Sequence, residues 1–190
     1  GMFHDTKGFQ IQDVAWFLAI LAAISALYGA FVTIKQTDLK RLIAYSSVSH
    51  MGFVMLGVSA VSGTGLVAGI GLNGAALQMF THGTITGMLF LLVGLTYDRT
   101  HTRHIPELGG LANRLPLISV GFLLAGMAAL GLPGLSGFPA ELMIFMGTFP
   151  VKLIITIIFG VIFYQIVFTL DFLFFHSWII FPISCKNNPH

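Results

Sequence analysis

The sequence predicts an all-α integral membrane fold of about five transmembrane helices, the fourth of them discontinuous. Three observations predict it. Of 190 residues, 56% are hydrophobic and only 8% charged, with a mean hydropathy of +0.90. A typical soluble domain carries about 25% charged residues, so a water-facing surface could not be covered. Second, the apolar residues fall in runs long enough to cross a hydrocarbon core, which takes roughly 20 residues per helix. Third, one run contains "GLPGLSGFPAELMIF" (131–145), in which two prolines and three glycines precede or flank a single carboxylate, Glu141. The net charge of +2 is too small to point to nucleic acid. The one cysteine, Cys185, forms no internal disulfide and leaves the redox compartment open. The opening Gly-Met-Phe-His-Asp, with no basic n-region or cleavage site after it, reads as part of a longer polypeptide.

The runs are read as a single membrane domain over 1–190. The first span is 14–34, uncharged throughout, and the polar break 35–41 leads to the second at about 42–61. The Gly/Ser turn 62–65 leads to the third, about 66–95, which is longer than a straight crossing requires and so tilts or begins with an interfacial turn. The polar stretch 97–114 follows. The fourth run, 115–149, is too long for one straight helix and is read as broken near 133–138. The fifth, about 153–181, holds Asp171 and His176, with Asp171 read as the end of a shortened span. Counting Lys and Arg in loops sets the topology. Lys35, Lys40, Arg41, Arg99, Arg103, Arg114 and Lys186 fall on one side, and only Lys7 and Lys152 on the other. The 35–41 and 97–114 loops are thereby assigned to the cytoplasmic or matrix side.

An ionisable group in the bilayer centre costs at least ~2.5–3.5 kcal/mol, so each needs a partner, a wet cavity or a job. His50 lies about two and a half turns into the second span, on one face with Ser46; it is either a neutral imidazole hydrogen-bonded to Ser46 or a neighbour, or a proton carrier. Lys40 and Arg41 open that span, and Lys40 lies about 15 Å along the axis from His50; both read first as snorkelling anchors. Gln78, His82 and Thr86 recur at four-residue steps and form one polar stripe on the third span, fit either for interhelical hydrogen bonding or for relay. Gly83 and Gly87 beside it have the G-x-x-x-G spacing of close helix packing. His101, Arg103, His104 and Glu107 lack a metal-ligand spacing and read as solvated loop residues. At the break, Pro133 stops one half-helix, and Pro139 fits the first position of the next, which makes Glu141 a first-turn acid at the third position. Backbone broken at membrane depth persists only where protein or a water-filled cavity satisfies it, and transporters place ion sites at such breaks. Glu141 is therefore both a capping and a functional candidate.

Several stretches together resemble the antiporter-like membrane subunits of complex I: "QTDLKRLIAYSSVSHMGF" (36–53), "LQMFTHG" (77–83), "TYDRTHT" with "ELGG" (96–110) and "LPGLSGFPAELMIFMGTF" (132–149). The resemblance covers about residues 14–150 and is strongest to the M-type chain (mitochondrial subunit 4) and to the D-type chain of the cyanobacterial and chloroplast NADH-dehydrogenase-like complex. It implies two inverted five-helix repeats, each with one broken helix, of which this chain resembles the second. It also implies that His50, His82 and Glu141 occupy proton-path positions, with a weaker claim for Lys40. The first repeat of that family has no counterpart here, and beyond Phe149 the likeness fades: "FLFFHSWIIFPISCKNNPH" (172–190) lacks the usual basic helix end.

The resemblance implies a proton-translocating membrane-arm subunit of a respiratory or photosynthetic NADH or ferredoxin:quinone oxidoreductase. Such a chain is an enzyme subunit with no redox site, cofactor or metal of its own. Its partners would be other membrane-arm subunits, the lipid bilayer and protons, with no nucleic acid. The expected location is a bacterial inner membrane, or an organellar inner or thylakoid membrane. Two alternatives stand beside it: a subunit of a multisubunit cation/proton antiporter or membrane-bound hydrogenase, and a non-transporting helical scaffold or truncated remnant.

Overall fold

The computed structural model describes residues 11–63 and 65–160. The remainder of the expected fifth span, with Asp171 and His176, lies outside the described residues, as do Lys7, Cys185 and Lys186. Helix α1 covers Ile11–Ile34, α2 Leu39–Ser59, α3 Leu66–Thr100, α4 Leu111–Arg114, α5 Pro116–Ala129 and α6 Gly137–Thr148; α7 covers 153–160. Among the described residues three segments are long and apolar enough to cross a membrane, Gln12–Ile34, Leu39–Ser62 and Leu66–Thr100. The fourth run is two half-helices, α5 and α6, separated by the break.

Each helix has a local cause. On α1, Ala15, Ala19, Ala22, Ala26 and Ala30 recur at three- and four-residue steps, and all are buried. This small-residue stripe lets α2 approach closely enough for the Ser49 hydroxyl to donate to the Ala26 carbonyl at 2.9 Å. Helix α2 starts at an Asp38 cap, whose carboxylate accepts from the backbone N–H groups of Lys40 and Arg41 at 2.8 and 3.1 Å, as N-cap acids do. Helix α3 runs past the expected Leu95 to Thr100 because nothing interrupts its backbone ladder; Asp98 and Arg99 simply face outward. Its 35 residues span roughly 52 Å at 1.5 Å each, so it protrudes well beyond a ~30 Å hydrocarbon core. It ends where His101 turns left-handed (φ 54°) and donates its N–H to the Tyr97 carbonyl.

The helices alternate in direction. On α3, a Cβ at Gly74 would meet the Ile144 backbone N at 2.7 Å, and Gly71 and Gly147 place their backbones directly against each other. These pairs make α3 and α6 antiparallel. Gly83 and Gly87 do not supply the expected close packing. Both are exposed, and a Cβ on either would meet nothing within 4 Å. The side of α3 that α6 approaches is the one carrying Gly71 and Gly74, so among the described residues nothing packs on the G-x-x-x-G face.

Two ends result. At one, Leu39 donates its N–H to the Arg103 carbonyl (3.0 Å) and Ile105 to that of Thr37 (2.9 Å), stitching the two basic loops together. Beneath them Leu39, Ile43, Leu92, Val93, Leu108, Leu111 and Phe122 form a buried cluster. At the other end lie the start of α1, the α2–α3 turn and the α6–α7 hairpin, where Val151 packs against Gly63. The loops thus sort to opposite ends as the Lys and Arg count requires.

Candidate functional site

The break is built from left-handed glycines. Helix α5 stops at Ala129, and Gly131 (φ 63°) and Gly134 (φ 98°) turn the chain through conformations that L-residues disfavour. Helix α6 then begins at Gly137, two residues earlier than Pro139 would start it. Pro139 is accepted as the third residue because the first four N–H groups of a helix have no intrahelical partner to lose. Glu141 is consequently the fifth residue, beyond the first turn, and the capping role expected for it is not observed. Among the described residues no hydrogen bond or ion pair reaches its carboxyl group. The group instead folds back onto Gly131, where an added Cβ would lie 2.9 Å from Cδ and overlap Oε2. It is 5% exposed.

His50 and His82 are brought together across α2 and α3, with ring centroids 5.1 Å apart and planes inclined at 36°. Both are buried. Ser46 does not hold His50: its hydroxyl donates to the Ile43 carbonyl. The Thr86 hydroxyl donates to the His82 carbonyl at 2.6 Å, and Gln78, one turn before His82, is buried with its Oε1 lacking a hydrogen-bond partner among the described residues. A buried amide oxygen in that state is suited to hold a water. The α3–α6 register puts Gln78 opposite Ala140 and His82 opposite Ser136. Helical side chains lean toward the N-terminus of their helix, so the Glu141 carboxyl reaches back to the depth of the histidine pair. By this register the three residues, from three helices, lie at similar depth, beside the break.

A family model described as "NADH:quinone oxidoreductase/Mrp antiporter, TM" matches residues 2–179. The chain belongs to this family. Its curated relatives include the NAD(P)H-quinone oxidoreductase chain 4 of Gloeobacter violaceus, 50% identical over 136 residues, covering 72% of this chain and 25% of the relative. The chloroplastic NAD(P)H-quinone oxidoreductase chain 4 of Marchantia polymorpha is 51% identical over 130 residues, covering 68% of this chain and 25% of the relative. Among solved structures, respiratory complex I from Thermus thermophilus with bound NADH contains a chain that is 33% identical, superimposes with a TM-score of 0.82, and is matched over 90% of this chain and 35% of its own length. The chain thus spans about a quarter of the length of the curated relatives it matches. It is a membrane-embedded, antiporter-like polypeptide.

Two further groups of this antiporter-family chain complete the picture. Lys40 is exposed on the first turn of α2 and is not brought to the histidines. In the loop, the Thr102 hydroxyl donates to the Glu107 carboxylate, and Arg103 lies over the Tyr97 ring at 4.8 Å; His101 and His104 are exposed. Lys152 is the residue the sequence reading missed. Counted as a loop cation, it is 2% exposed, with its ammonium 4.1 Å from the centroid of the Trp16 ring. It follows the end of α6 at Thr148, so no helical spacing marked it in the sequence.

Proposed function

We propose that this chain is the second channel half of a proton-translocating membrane-arm subunit of a NAD(P)H-quinone oxidoreductase, with His50, His82 and Glu141 as its proton-exchanging groups. The observation that carries the reading is the His50–His82 ring contact together with a buried Glu141 carboxyl folded onto a glycine-built helix break. Two imidazolium charges about 5 Å apart would repel by roughly 3 kcal/mol at an effective dielectric of 20, so the pair holds one proton at a time and passes it on. Water near the unpartnered Gln78 oxygen links the pair to Glu141. Glu141 stores and releases the proton, and Lys40 stands at the inlet as a surface charge. Redox chemistry belongs to other subunits, whose conformational or electrostatic changes shift proton occupancy along this line. The names of the relatives support an oxidoreductase complex. They come from cyanobacteria and a chloroplast, which favours a thylakoid or inner membrane.

The family description also covers Mrp antiporters, and a cation/proton antiporter subunit is the second reading. Both use the same proton groups. The test is Glu141→Gln in the full-length subunit within its assembled complex, read as protons pumped per quinone reduced in sealed vesicles. Lower pumping with normal complex abundance is expected. Pumping at the wild-type level would overturn the role of Glu141.

A further inference from the structure

We propose that Lys152 is the proton-exchange residue at the loop-poor end, through which protons pass between Glu141 and the aqueous face beside Trp16. The proposal extends the path described above and rests on it. Lys152 stands at the apex of the α6–α7 hairpin. Its N–H donates to the Thr148 carbonyl at 2.8 Å, and its own carbonyl accepts from the Thr156 N–H at 2.9 Å. Residues 141 and 148 differ by about 20° around a helix of 3.6 residues per turn, so Glu141 and Thr148 share a face of α6, and Lys152 follows just past its end. Their exposures are 5%, 0% and 2%, and Thr156 on α7 is also 2% exposed. A buried polar line therefore runs from the break to the end of the bundle.

Phe145 is the apolar step in that line. Its ring meets Phe53 edge-on at 5.5 Å, and Phe53 meets Phe159 at 4.6 Å. Phe145 lies one turn after Glu141 and before Thr148 on α6, so this trio is the barrier that a moving proton, carried by water, crosses when the rings rotate.

An anchoring lysine extends its ammonium to water; this one lies under an indole that is itself 48% exposed. Its Nζ makes no hydrogen bond among the described residues. The other described titratable groups toward this end are Asp13, exposed one turn before Trp16 on α1, and Glu141. A buried ammonium with no carboxylate partner among the described residues is held at a cost that losing a proton relieves, and lysine, unlike arginine, can lose one. The Lys152 amine takes a proton from the Glu141 carboxylic acid through water, and the ammonium gives it to water at the face. Only O–H and N–H bonds break and form. The thin cover by Trp16 holds the cation in place while leaving bulk water within a short distance.

The experiment compares Lys152→Met, Lys152→Arg and Glu141→Gln in the full-length subunit of the assembled complex, reading pumping per quinone reduced and complex abundance. Lys152→Met and Lys152→Arg are each expected to lose at least half of the pumping that Glu141→Gln loses. The guanidinium keeps charge and ring contact yet cannot release a proton, which separates relay from a fixed charge. Lys152→Arg keeps the variant set informative if Lys152→Met lowers abundance. Wild-type pumping in Lys152→Arg overturns the proposal, whatever Glu141→Gln does. Loss in Lys152→Arg with wild-type pumping in Glu141→Gln supports Lys152 as an outlet and removes Glu141 from the path instead.

Discussion

At the end of the bundle stitched by Leu39–Arg103 and Thr37–Ile105 hydrogen bonds, Lys40 is exposed, and its backbone N–H donates to the Asp38 carboxylate. At the opposite end Lys152 lies buried under Trp16. Both lysines enter a topology count with equal weight, yet their surroundings differ in kind. The exposed cations of the first end are the ones a charge count assigns to one side of a membrane. The single described cation of the second end is covered, and buried Thr148 and Thr156 flank it in the hairpin. Charge number and charge burial therefore carry different information about the same residue type.

Five substitutions break or sharpen this contrast. The largest effect is expected from Gly147→Leu, because Gly147 lies directly against the Gly71 backbone. Forcing α3 and α6 apart should cost about 3 kcal/mol, at the upper part of the overpacking range, and deplete the subunit from native gels. Its control is Gly83→Ala on α3, where an added Cβ meets no described atom within 4 Å, expected to be neutral or stabilising by up to about 1 kcal/mol; a loss as large would mean that residues beyond the described ones, or another polypeptide, close on that face. Next is Gly131→Ala, which forces a left-handed conformation on alanine at about 1–2 kcal/mol and displaces the Glu141 carboxyl. Pumping should fall toward the Glu141→Gln level with no titratable group removed, and unchanged pumping would detach the glycine from the site.

Asp38→Ala removes the α2 cap for about 1 kcal/mol and loosens the stitched basic end; a lower melting temperature of the complex with normal pumping is the expected result. Smallest is Lys40→Gln, an exposed change worth within about 0.5 kcal/mol. Wild-type pumping is expected, and a loss would bring Lys40 from the surface into the path.

The fold class was legible because composition and run length are global properties that lipid enforces. The discontinuity was equally legible, since Pro133 and three glycines leave a helix few alternatives. What sequence could not provide was facing. His50 and His82 were each visible as costly polar groups, but their 5.1 Å contact depends on the α2–α3 register, which no local pattern sets. The same lack of register made Gly83 and Gly87 look like packing residues, when Gly71, Gly74 and Gly147 do that work. Glu141 was placed as a helix cap because Pro139 favours a first position; the helix instead starts at Gly137, where the left-handed Gly134 releases the chain. Lys152 was counted simply as a loop cation, because a charge count carries no information on burial. A hairpin apex can be as buried as a helix when three other segment ends close over it.

The central claim is that His82 and Glu141 serve one path rather than two separate structural needs. It is tested most directly by a double-mutant comparison in the full-length subunit: His82→Leu, Glu141→Gln and both together, read as protons pumped per quinone reduced at equal complex abundance. Groups in series on one path give a double variant no worse than the more damaging single variant. Losses that multiply would show independent contributions and contradict the account.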